Sequence, residues 1–179
     1  MANEHDATAR GLSATLEEGV STPRWLDDDE QRAWRACLRG YRSLIVAMET
    51  GLTGTGVRLA EYEALSMLSE APGERLRMSA LAELVVQSRS RLTHAVKRLE
   101  GMGLVQRSRI AHDGRGVEVS LTRAGLHLVQ ELAPLHIETV RLAFLDQMSR
   151  EELLVMGTRM ERVMEAAASI SSPEGTRAL

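Results

Sequence analysis

Between Ser88 and Leu121 an amphipathic basic helix is followed at once by a two-stranded hairpin, an order that few folds accept. Ser88 is a favoured N-cap type, and a helix starting there reaches Gly101 or Met102. At about 100° per residue, Leu92, Ala95, Val96, Leu99 and Met102 gather on one side, with Ser90, Thr93, His94, Lys97 and Arg98 largely opposite. Val105 to Ile110 and Val117 to Leu121 then read as strands, because Val117, Val119 and Leu121 alternate with Glu118 and Ser120. The segment between them, His112-Asp113-Gly114-Arg115-Gly116, carries the Asp-Gly step of a tight hairpin. A hairpin placed directly behind a basic helix has the order of a wing.

Upstream, Ser79 is expected to cap a short helix to about Val86, so two short helices meet at a tight turn with the second polar and basic outside, as in a helix-turn-helix. Leu59 to Ser69 forms a helix with Tyr62, Leu65 and Leu68 on one face, ended by Pro72-Gly73. Before it, Asp27 to Glu30 place acids at a helix start, and Trp34, Leu38, Tyr41, Ile45 and Met48 form an apolar stripe that Gly51 to Gly56 interrupts. From Thr122 the pattern is helical to about Gln147, with Pro134 marking a kink or a restart. Ser149 opens a last helix with Glu151 and Glu152 in its first turn and Leu153, Met156, Met160, Val163 and Ala167 at helical spacing. The first and the late helices are too apolar to stand alone, so they fold back on the winged region or pair with a second chain. Residues 1–23 and 170–179 lack sustained periodicity and read as an arm and a tail. The expected fold is mainly α with a small β-hairpin wing.

Net charge is −3, but its distribution is polar: Ser88 to Arg123 holds eight basic residues against three acidic ones, a net of +5 that leaves −8 for the rest. A positive face on an acidic body suits phosphate binding. With 44% apolar residues in 179 the chain can fill a core, and no apolar run approaches the roughly 18 residues of a membrane span. The polar start of the chain lacks a signal-peptide core, which points to a cytoplasmic, nucleoid-associated protein. One cysteine, Cys37, excludes a disulfide framework and a cysteine-rich zinc site.

Several strings, in order, resemble the MarR family of bacterial regulators. They are Leu59-Ala60-Glu61-Tyr62-Glu63-Ala64-Leu65, Met78-Ser79-Ala80-Leu81-Ala82, Ser88-Arg89-Ser90-Arg91-Leu92-Thr93, Leu99-Glu100-Gly101-Met102-Gly103-Leu104-Val105, Asp113-Gly114-Arg115 and Leu121-Thr122-Arg123-Ala124-Gly125. The resemblance spans roughly Trp25 to Ala168 and departs at Gly116, where the family often has a bulkier or charged residue. It implies a domain over 24–169, with dimerisation helices at 27–50 and 123–169 around a winged helix-turn-helix at 58–122. It also implies a homodimer on a pseudo-palindromic duplex operator, in many members a repressor released by a small ligand.

Phosphates give most duplex affinity and groove edges give selection. Arg89, Ser90, Thr93 and His94 at the exposed start of the basic helix are the candidate base readers, with Arg91 beside them. Lys97 and Arg98 suit backbone clamps, and Ser88 is first a cap whose hydroxyl can also meet phosphate. On the wing, Arg115 can enter the minor groove, Arg109 and His112 are weaker candidates, and Asp113 would support the turn or orient Arg107 or Arg115. Aromatic content of 3%, with none in the basic stretch, disfavours single-strand and RNA binding.

Trp34, Leu38, Tyr41 and Met67 read first as core and alternatively as the lining of an aromatic-ligand pocket. Cys37 reads first as a small buried apolar residue. In some members of the family it resembles, a first-helix cysteine senses organic peroxide with nearby tyrosines; Tyr41 and Tyr62 fit part of that arrangement, but Gly51 to Gly56 replaces a further tyrosine. Enzyme constellations are absent: Gly54-Thr55-Gly56 has Leu59 where a dinucleotide loop needs a small residue, and no strand precedes it. His5, His94, His112, His127 and His136 show no metal-ligand spacing, so no metal or cofactor is expected, and His136 reads as a helix-surface residue. A protein-interaction module is the alternative of a different class, and a basic rather than apolar face argues against it.

Overall fold

In a computed structural model of the chain, the structure describes residues 23–85, 88–110 and 116–171. The arm 1–22, residues 86–87, the wing tip 111–115 and the tail 172–179 lie outside the described residues. The chain divides into two units, Met1–Gly40 and Tyr41–Leu179. Six α-helices and one three-stranded antiparallel sheet are present among the described residues: α1 (Asp28–Gly51), α2 (Leu59–Glu70), β1 (Arg75–Arg77), α3 (Met78–Leu84), α4 (Arg89–Gly101), β2 (Val105–Arg109), β3 (Val117–Leu121), α5 (Arg123–Ala143) and α6 (Arg150–Ile170). The mainly helical fold with a small winged sheet is the one the patterning calls for.

Within the first unit, Asp27 caps α1: its carboxylate accepts from Glu30 N at 2.8 Å, and Glu30 accepts from Asp27 N at 3.1 Å. Trp34 and Cys37 are exposed and Leu38 is half-buried. The expectation of core for Trp34, and of burial for Cys37, is therefore corrected.

In the second unit the core is built where the periodicities converge. Leu65 and Leu68 of α2, Leu81 of α3, Leu92, Val96 and Leu99 of α4 and Val119 of β3 are fully buried. Each such side chain contributes on the order of 1.5–3 kcal/mol of transfer free energy, so this layer holds α4 against its neighbours. Met102, expected on the same face, is instead the exposed C-cap of α4, one step past the last turn.

The sheet runs β1-β3-β2 with Leu76 opposite Val119 and Val105 opposite Leu121. The strand β1 was not expected: three residues with arginines on both sides of Leu76 carry almost no periodic signal. The hairpin strand ends at Arg109, one residue short of the reading, and Ile110 N closes it on Gly116 O at 3.0 Å. Helix α3 begins at Met78 with Arg77 as N-cap, so Ser79 lies in the first turn and is not the cap.

Gly125 is required by close approach: a Cβ there would stand 2.1 Å from Leu104 O. That carbonyl already accepts from Thr122 N and Thr122 Oγ1, both at 3.0 Å, which binds the root of the wing to the start of α5. Helix α5 passes through Pro134 without restarting; the residue is exposed, so water can serve the carbonyl its missing N–H leaves unpaired. The last helix opens where the sequence indicates, and Ser149 and Glu152 form a capping box there. No helix among the described residues is long and apolar enough to cross a membrane.

Candidate nucleic-acid interface

The buried stripe of α4 forces its other residues outward. Ser88, Arg89, Ser90, Arg91, Thr93, His94 and Lys97 are all exposed. Ser88 caps the helix by accepting from Arg91 N at 3.4 Å, and its hydroxyl stands 3.2 Å from that of Ser90. Thr93 donates its hydroxyl proton back to Arg89 O at 2.7 Å, which holds the side chain against the helix and favours contact through its methyl group. Arg89, Arg91 and Lys97 enter none of the ion pairs formed among the described residues, so their charge faces solvent.

The α4 face continues into a cleft of about 420 Å³ between helix and sheet, lined by Arg77, Ser79, Arg89, Thr93, Arg107 and Val117 among others. Three guanidinium groups on three elements thus border one concavity. Arg77 was missed by the sequence reading because it precedes the basic stretch that begins at Ser88. The signal was there in Arg75-Leu76-Arg77: a half-buried leucine between two arginines just before a helix. Arg75 itself stands 3.8 Å from Glu118.

Two other expected cations are engaged internally. Arg98 donates to the buried Glu61 carboxylate and, through Nη2, to Gly56 O at 2.9 Å. Arg107 donates from N, Nε and Nη2 to Glu100 at 3.1, 2.8 and 2.5 Å. The side-chain hydrogen bond from Arg107 is the main cause that holds the Glu100 carboxyl below the usual carboxylate range. The partner expected for Arg107 was Asp113; Asp113, Arg115 and His112 lie outside the described residues. Arg109 is exposed on β2, opposite Val117.

A second cleft of about 680 Å³ is lined by Tyr41, Ile45 and Glu49 from α1, Arg58 and Glu61 from α2, and Arg91 and His94 from α4, with others. Tyr41 is exposed, against the expectation of core, while Met67 packs on the core from a half-buried position. His136 is not a surface residue: it is half-buried, its ring centroid 4.6 Å from that of Tyr62, and its Nδ1 is buried without a partner. Burial lowers its pKa. Among the described residues no group of three or more His, Cys, Asp or Glu could hold a metal ion.

A capped basic helix on a helical core, backed by a three-stranded wing, defines a winged helix-turn-helix protein. The sequence comparisons agree with that class. Residues 50–116 match the model of the MarR family. AbsC, a MarR family transcriptional regulator from Streptomyces coelicolor, is similar at 38% identity over 82% of this chain and 99% of that chain, with a TM-score of 0.77. Sco3205, a MarR family regulator from the same organism solved in complex with DNA, is 35% identical over 86% of this chain and 95% of that chain, with a TM-score of 0.79. BpsR of Bordetella bronchiseptica shares the fold at 16% identity over 74% of this chain and 98% of that chain, with a TM-score of 0.66. Comparison with curated proteins gave no match. The chain belongs to the MarR family of transcriptional regulators, DNA-binding winged-helix proteins.

Proposed function

We propose that the chain acts as a homodimeric repressor on a pseudo-palindromic operator. In this reading α4 of each protomer enters a major groove with Arg89, Ser90, Thr93 and His94 against base edges, while Ser88, Arg91 and Lys97 meet phosphates. Arg109 and Arg115 of the wing reach along the backbone and into the minor groove. The single observation that carries the reading is the exposed basic face of α4, held over the fully buried Leu92, Val96 and Leu99 and continued by Arg77 in the adjoining cleft.

Dimerisation through the helices at 27–50 and 123–169 is supported by α6, a 21-residue helix with no buried residue. Leu154, Val155, Met160, Val163 and Met164 are exposed along it, an apolar surface that a second copy would cover. Release by a small aromatic ligand is supported by the Tyr41 cleft, which residues of α1, α2 and α4 line together. The precedent among fold neighbours is BpsR, whose DNA binding is regulated by 6-hydroxynicotinic acid.

The test is Arg89→Ala in a binding titration over salt. Arg89 contributes one phosphate or guanine contact per protomer, so the variant should bind at least about tenfold more weakly. Unchanged binding to every duplex would overturn the assignment of this face.

A further inference from the structure

Four cations stand on α4, at Arg89, Arg91, Lys97 and Arg98, and by charge alone all four would neutralise phosphate. The geometry points to a different task for the last: we propose that Arg98, gripped by Glu61, is a positioning residue that sets the orientation of α4 and neutralises no phosphate. This rests on the DNA-binding reading of α4.

The grip joins three separate pieces of chain. Glu61 sits in the first turn of α2, and its side chain is 4% exposed; it is the one charged residue buried among the described residues. Its Oε2 accepts from Arg58 N at 2.9 Å and also from Arg98 Nη1. The other end of the same guanidinium donates to Gly56 O at 2.9 Å, in the loop between α1 and α2. Gly56 has φ +83°, a left-handed conformation that sets this carbonyl and that side-chained residues rarely adopt. Arg98 therefore spans a carboxylate and a carbonyl with its planar fork, which a lysine ammonium cannot reproduce.

A carboxylate this deeply buried is costly unless paired, so the pair holds together whether or not DNA is present. The buried stripe of α4 fixes its distance from the core, but smooth leucine contacts resist rotation about the helix axis weakly. A two-point polar bond at the last turn resists that rotation. Base reading depends on it, since the side chains at Arg89 and Thr93 must meet base edges within a fraction of an ångström. Backbone attraction depends on it little.

The experiment compares wild type, Arg98→Gln, Arg98→Lys and Glu61→Gln on a duplex selected from a random library by the wild-type protein, and on a scrambled duplex. A phosphate clamp lost from each protomer lowers the slope of log K against log salt by about 0.9, or nearly twice that in a dimer. The tether predicts an unchanged slope for Arg98→Gln, with affinity for the selected duplex down about tenfold or more and the scrambled duplex within about twofold. Arg98→Lys should fail as Arg98→Gln does, and Glu61→Gln, with every cation in place, should lose selectivity too. A reduced slope in Arg98→Gln, near-wild-type binding by Arg98→Lys and an unaffected Glu61→Gln would together make Arg98 a clamp and overturn the proposal. A wild-type protein that selects no duplex would instead overturn the DNA-binding reading itself. In that event amide exchange along α4 still decides on the tether, which requires faster exchange in Glu61→Gln.

Discussion

Arg107 closes its guanidinium on the Glu100 carboxylate, with Nε at 2.8 Å and Nη2 at 2.5 Å, and so joins the first strand of the wing to the last turn of α4. The backbone N–H of Arg107 adds a third bond to the same side chain at 3.1 Å. Wing and helix are thereby held as one body, and a helix that reads DNA carries its wing with it.

Removing that anchor should loosen the wing without unfolding the domain. In Glu100→Ala the Arg107 amide, protected in the wild type, should exchange faster, and duplex binding should weaken by roughly three- to tenfold. The pH sign follows from the lowered Glu100 pKa: the anchor is complete above the ordinary carboxyl value and is lost as pH falls through the depressed one. Unaltered exchange at Arg107 in the variant would mean that the anchor does not hold the wing.

The two faces of α4 should separate stability from binding. Leu92, fully buried, should cost about 2–5 kcal/mol when changed to alanine, read as a lower urea midpoint. Its exposed neighbour Arg91 should change stability by less than about 0.5 kcal/mol as alanine while weakening duplex binding. Equal stability losses at the two positions would refute the assignment of the faces.

His136 makes stability depend on pH. Burial against Tyr62 lowers its pKa in the fold, and Nδ1 has no partner to share a proton. The unfolded chain therefore binds that proton more readily, so stability falls as pH drops below about 6.5 and goes on falling until the folded imidazole itself titrates. His136→Leu should flatten the melting temperature between pH 5 and 7 (about the range in which an unperturbed imidazole titrates). An equally steep profile in the variant would assign the dependence to other groups.

The bare helix α6 should need a partner. Val155→Asp puts a charge on a surface that the proposed dimer buries, so sedimentation should move from dimer to monomer at micromolar concentration. A wild type that sediments as a monomer would remove the reason for the exposed row at Leu154, Val155 and Val163.

The sequence made the winged domain legible because its signals were local and consistent. Ser88, the Leu92-Val96-Leu99 spacing and the alternation at Val117, Val119 and Leu121 each specify one element, and the elements adjoin in the chain. What stayed illegible depended on distant partners. Arg98 and Lys97 both fall on the polar side of a helical wheel, and nothing local says that Arg98 meets Glu61, 37 residues away. The strand β1 exists because Leu76 finds Val119 on β3, a pairing no three-residue window can encode. Trp34 and Tyr41 were assigned to the core on apolarity alone, and apolarity does not say whether the surface that covers them lies in the same chain.

The central claim is that α4 selects DNA sequence as part of a two-fold assembly, and selection of duplexes from a random library at about 150 mM salt tests it most directly. The account predicts a pseudo-palindrome whose half-site centres lie about one helical turn, roughly 34 Å, apart, with binding weakened by Arg89→Ala. Recovery of no enriched sequence, with only salt-sensitive background binding, would contradict it.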